Sequence, residues 1–275
     1  MPFSTTLGAR GRVSVIVPAL AMLQLLVTGG CGDSSAQPAA SPSTAPPVWN
    51  VVALGDSDTS GSGDPTGQGW VGRYAHLLHD RLGVRVVVSN LAQEGQTSDA
   101  LVASLQSDPE MRKALAGAEV VLVGSGGADL NSGDAGLEAG ECEAEACYAD
   151  GLRAFGRNLD AALALVRTLR GPNEAVLRAI TLPNVVPGAQ DAVPPFITPE
   201  IGTYQTRTLR RLICAAAAKH GGRCVDALRA FNGPRGTRDA YSKGWLTKDP
   251  CCYPSSEGQQ AIAQLVLSSG LAPLH

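Results

Sequence analysis

Five short apolar runs recur along this chain, with helical patterns between them. NVVAL (50–54), VRVVVSNLA (84–92), EVVLVGS (119–125), AVLRAITLP (175–183) and RCVDAL (223–228) carry Val, Ile, Leu or Ala at most positions. A strand that is apolar nearly throughout, rather than at alternate positions, is one buried on both faces, and such strands form parallel sheets with helices on each side. The segments between the runs supply those helices. In GWVGRYAHLLHDRL (69–82), Trp70, Tyr74, Leu77, Leu78 and Leu82 recur at helical spacing. Further helices are expected near 97–106, after Pro109, over roughly 146–170 with a stop at Gly171 and Pro172, near 200–219 and near 255–269. The expected architecture is α/β: three layers, α/β/α, around a parallel sheet of about five strands.

The first 48 residues read differently. Arg10 and Arg12 precede an apolar run from Val13 to Val27, which suits a signal-peptide core and falls short of the ~20 residues a bilayer span needs. VTGGCGDSS follows, and small residues before Cys31 resemble a bacterial lipoprotein signal, although Thr28 stands where Leu is usual. Residues 1–30 are therefore expected to be a signal peptide and Cys31 a lipidation site. The chain would sit on the outer face of the bacterial cell membrane, with plain secretion as the alternative. Pro, Ser and Ala dominate 31–48, too little apolar surface to order itself, so this reads as a tether. The folded domain is expected over 49–275, as a monomer.

A formal net charge of −3 leaves no basic footprint for nucleic acid. Of the seven cysteines, six remain once Cys31 is set aside, and an even number in an exported chain argues for disulfides over metal. Cys142 with Cys147 and Cys214 with Cys224 would each close a short loop. Cys251 and Cys252 would then form a strained adjacent pair, or one of them pairs elsewhere. No metal site and no cofactor are expected, because GSGGAD lacks the spacing of a dinucleotide fingerprint.

In sheets of this kind, active sites lie beyond the carboxyl ends of the strands. The first strand ends in VVALGDSDTSGSG (51–63), which puts Ser57 there. This stretch resembles the first block of the SGNH/GDSL hydrolases, a flavodoxin-like family of esterases and lipases whose nucleophilic serine follows the first strand. Asp58 stands where Leu or Ile is usual. The resemblance runs from Trp49 to the C-terminus. It implies that Gly95, in SNLAQEGQTSDAL, joins Ser57 in offering backbone N–H groups to a developing oxyanion. It implies a small acyl-ester substrate, or an envelope ligand if the site only binds.

Two later blocks depart from the family pattern. VGSGGADLN keeps Gly126 and Asp129 but puts Ala128, which has no donor, where an Asn is usual; Asn131 lies three residues on. TKDPCCYPSSEGQQAIA should carry Asp-x-x-His-Pro. Counting from Asp249 puts Cys252 at the histidine position, and anchoring on Pro254 puts Tyr253 there. A serine hydroxyl needs a base to take its proton. Tyr, with a reference pKa near 10, donates at neutral pH rather than accepts, while Asp249 would be a weak base unless burial raised its pKa, as it could for Asp56 or Asp58. The expected site is thus Ser57 with Asp249 and Tyr253 as candidate helpers. Two readings stay open, a serine esterase with a substitute base and an inactive hydrolase scaffold that binds a ligand. LPNVVPGAQDAVPPFITPEIG (182–202) is expected to help shape the pocket.

Overall fold

The computed structural model describes residues 45–274. The signal peptide, Cys31 and most of the tether expected from the sequence lie outside the described residues.

Five strands, β1 (Val48–Gly55), β2 (Arg85–Asn90), β3 (Val120–Gly124), β4 (Val176–Ile180) and β5 (Arg223–Val225), form one sheet in the order β2-β1-β3-β4-β5. All four pairings are parallel, with Val51 beside Val120 and Val121 beside Leu177. This is the doubly wound order whose switch point lies between β1 and β3. Successive side chains alternate between faces. Val52, Leu54, Val121 and Val123 enter one core, and Val51, Ala53, Val120 and Leu122 the other.

Helices cover both faces. The first core is closed by α3 (Ser98–Ser107), α4 (Pro109–Ala116), α6 (Ala149–Arg170) and α7 (Pro199–Lys219). The second is closed by α2 (Gly69–Leu82), α8 (Ala227–Asn232) and α9 (Ser256–Ser268). The short α1 (Ser57–Ser60) follows β1 directly, and α5 (Asn131–Glu138) follows β3.

Two expectations are corrected. β2 is an edge strand, with Val87 39% and Val88 38% exposed, so its apolar run is not buried on both faces. The fifth run is split: β5 stops at Val225 because the Asp226 carboxylate accepts from the Arg229 N–H and starts α8. The segment 246–254 is a two-stranded hairpin, β6 (Leu246–Lys248) with antiparallel β7 (Cys251–Pro254). All six described cysteines pair, Cys142 with Cys147, Cys214 with Cys224 and Cys251 with Cys252, so of the two alternatives for the last pair the adjacent one holds.

Candidate active site

β1 delivers Ser57 to the carboxyl edge of the sheet through a turn with no room for side chains. At Gly55, φ is +145°, and a Cβ there would run into the Gly124 carbonyl of β3. That carbonyl accepts from the Asp56 N–H (3.1 Å) and from the Thr59 hydroxyl (2.8 Å). β1, β3 and the first turn of α1 are thereby locked together, and Ser57 emerges half-buried at the helix start.

Asp56, the residue before Ser57, is only 2% exposed. Its Oδ2 accepts from the N–H groups of Gly126 (3.0 Å) and Gly127 (2.9 Å), holding the loop after β3 against the serine turn. Its Oδ1 is buried without a hydrogen-bond partner. Burial pushes this carboxyl up to about 6 despite the amide donors. Asp58, one residue past Ser57, is pushed up to about 8 by burial and by the charge of Asp56. Ionisation of Asp56 therefore opposes ionisation of Asp58.

Ser57, Asp56 and Asp58 line one end of a cavity of about 210 Å³. Its walls are largely apolar, with Leu182, Pro183, Val185 and Val186 after β4, Val193 and Ile197 further along that loop, and Leu209 of α7, while Asp134, Asn184, Gln205 and Thr206 add polar groups. The expected role of the 182–202 segment in shaping the pocket is matched by this lining. Cys252 and Tyr253 close the cavity from β7.

Tyr253 is held there by two contacts of its neighbourhood. Its N–H donates to the Thr247 hydroxyl (3.3 Å) across the hairpin. Buried Gln259 of α9 donates from Nε2 to the carbonyls of Pro254 (3.3 Å) and Ser62 (3.2 Å) and accepts from the Trp70 N–H (2.8 Å), so one amide ties the hairpin, the serine loop and α2 together. Burial pushes the Tyr253 phenol up. The carboxylates of Glu94, Asp58 and Asp56 push the same way, and the hydroxyl donates to Glu94. A phenol so placed is a donor, not a base.

The remaining expected residues fall elsewhere. Asp249 is exposed in the turn between β6 and β7 and does not line the cavity. Gly95 sits in an exposed turn at φ +72°, outside the cavity lining, closed by the Gln96 N–H donating to Gln93. Ala128 opens a short 3₁₀ turn, and Asn131 is exposed at the start of α5. Asp129 caps α3 by accepting from the Ser98 N–H and hydroxyl. Cys252 is oxidised, which removes a thiolate from consideration. His76 and His79 are exposed on α2, and His220 pairs with Asp160 (2.8 Å). His275 lies outside the described residues. Among the described residues no histidine lines the cavity, and no group of three or more His, Cys, Asp or Glu is arranged to hold a metal.

Residues 53–261 match the family model of the GDSL-like lipase/acylhydrolases. The chain belongs to that family. Among curated proteins, an uncharacterized protein of Bacillus subtilis (strain 168), YpmR, is 40% identical over 81 residues, 29% of this chain and 31% of that protein. The chain thus matches about a third of that relative's length. Among solved structures, a lipase from a goat rumen metagenome superposes with a TM-score of 0.68 at 21% identity, over 82% of this chain and all of that one. An acetyl xylan esterase from Geobacillus stearothermophilus gives 0.56 at 19% identity, over 83% and 96%. At these identities the likeness is one of fold. This GDSL member displays its serine on the family scaffold, but the surroundings of that serine are carboxyls and a tyrosine rather than an imidazole.

Proposed function

We propose that this chain is an exported, envelope-anchored serine esterase that cleaves short acyl esters through Ser57. The observation that carries the reading is the cavity: Ser57 lines a small pocket walled largely by aliphatic side chains, with Asp134, Asn184, Gln205 and Thr206 as further polar groups. An acyl chain of a few carbons would lie along Leu182, Val186 and Ile197, with its carbonyl at Ser57. Ser57 attacks that carbonyl, and its own backbone N–H receives the oxyanion; the family resemblance assigns a second donor to Gly95, which stands outside the cavity lining here. Ala128 offers no third donor, which costs on the order of 100- to 1,000-fold relative to a site that has one. Export is supported by the three disulfides, which persist in oxidising compartments, and by the signal-like segment ahead of Cys31.

The test is turnover of a nitrophenyl ester series by the full chain and by Ser57→Ala. Hydrolysis of acetate and butyrate esters, falling off for octanoate and lost in Ser57→Ala, is the expected result. Equal residual rates in both chains would rule the esterase out. Ala128 and Tyr253 favour a second reading, in which the pocket holds an acyl ligand without cleaving it. In that case calorimetry would detect binding of a short-chain ester with no product formed.

A further inference from the structure

We propose that Asp58, paired with Asp56, is the proton acceptor that activates Ser57, taking the place of a histidine. This inference rests on the esterase reading above.

The cavity places the pair. Asp58 is the immediate neighbour of Ser57 in the first turn of α1, and both line the same wall. Among the described residues no Lys, Arg or His lines that cavity, so none of them neutralises either carboxylate from within it. Asp56 is fixed through Oδ2 by the amides of Gly126 and Gly127, and the Asp58 N–H also favours its charge, yet its buried Oδ1 makes no full hydrogen bond. An unpaired buried carboxylate oxygen is costly. A proton held between the two aspartates relieves that cost, as it does wherever two carboxyls share one site. The raised positions of both carboxyls agree with such sharing.

The other groups facing the pair keep it negative or are already committed. The Tyr253 phenol donates to Glu94. Asp129 adds a like charge towards Asp56 while its own oxygens accept from Ser98. Asp134, which also lines the cavity, accepts from the Tyr148 hydroxyl (2.6 Å).

The chemistry balances without any further reagent than water. The Ser57 hydroxyl proton passes to the Asp58 carboxylate as Oγ bonds to the ester carbonyl carbon. The oxyanion collapses, the bond to the alcohol oxygen breaks, and the alcohol leaves with the proton returned by Asp58. Water then gives its proton to Asp58 and its oxygen to the acyl carbon. The acid departs, and the proton returns to Ser57. The base must start ionised, so the rate rises as pH passes through the titration of the pair.

The experiment is the pH profile of kcat/KM for nitrophenyl butyrate, with fluorophosphonate labelling alongside, in the full chain and in Asp58→Asn, Asp58→Glu and Tyr253→Phe. We expect a wild-type rate that climbs from about pH 5 to a plateau near pH 9. Asp58→Asn should lose at least ~100-fold and the climb with it, Asp58→Glu should restore part of both, and Tyr253→Phe should keep the climb. An active wild type whose Asp58→Asn variant keeps its rate and its profile would overturn this inference and leave the esterase reading standing. A wild type with neither adduct nor turnover would overturn both. Should Asp58→Asn fail to fold, a wild-type rate independent of pH over the same range would overturn the assignment by itself.

Discussion

Asp58 is half-buried, and its ionisation and its partial burial pull in opposite directions. Its carboxyl, pushed up to about 8 in the fold by burial and by Asp56, titrates near 3.9 in an unfolded chain. Below pH 4 both states hold the proton, and the residue is neutral in its effect on stability. As pH rises, the unfolded state ionises first and is favoured, so the folded state is progressively penalised until the folded group ionises as well. Asp58→Asn removes that penalty. Chemical denaturation should show the variant more stable than wild type by about 1–3 kcal/mol at pH 8, with the gap closing near pH 4. A gap that is constant in pH would contradict the burial argument. The same substitution is expected to abolish turnover, so this position would exchange stability for activity, as strained functional sites do.

At the scale of elements, the serine loop depends on one further carboxylate. Buried Asp64 accepts from the Thr66 hydroxyl (2.8 Å), the Gly69 N–H (3.0 Å), the Arg73 guanidinium (3.0 Å) and the Ser256 hydroxyl (2.7 Å), joining the loop to α2 and α9. Burial alone would push it up, but the donors from Ser256, Thr66 and Arg73 outweigh that and hold it below the usual carboxylate range. Its stabilisation is therefore present above the unfolded pKa and is lost as pH falls towards the folded one. Asp64→Ala should cost about 3–5 kcal/mol at pH 7 and less near pH 2, measured by urea unfolding; equal costs at both pH values would refute the ionic account. The regular elements were readable in advance because their periodicity is strong: the helix expected over 69–82 is α2 to the residue, and β3 and α6 begin and end within a few residues of expectation. The β6–β7 hairpin was not, since TKDPCCYP has neither alternation nor a hairpin turn signal. Nor was α5, since NSGDAGLE is Gly-rich and acidic and reads as loop. Within the site, Ser57 and the 182–202 wall followed from their places after strands. The partnership of Asp56 with the Gly126–Gly127 amides, the pairing of Tyr253 with Glu94, and the ties of Gln259 to Trp70 and Ser62 join residues 70 to 197 positions apart. No local pattern encodes such contacts.

The whole molecule combines a GDSL domain with a leading segment of quite different composition. If Cys31 carries lipid, metabolic labelling with a palmitate analogue should tag the full chain and should be lost in Cys31→Ala, which would appear in the medium instead. Labelling that survives the substitution would exclude this anchor. Among the described residues no helix is long and apolar enough to cross a membrane. Around the sheet, two apolar layers hold the carboxyl edge of β1 rigid, and the chemistry is left to loops from β1, β4 and β7 that meet at one cavity. Everything proposed for that cavity depends on Ser57 being a nucleophile. The most direct measurement is the intact mass of the full chain after reaction with a fluorophosphonate, beside Ser57→Ala. One adduct per chain, mapped to Ser57 and missing from the variant, is the predicted result. A folded wild-type chain that takes up no adduct would contradict the account and leave a binding protein on a hydrolase scaffold.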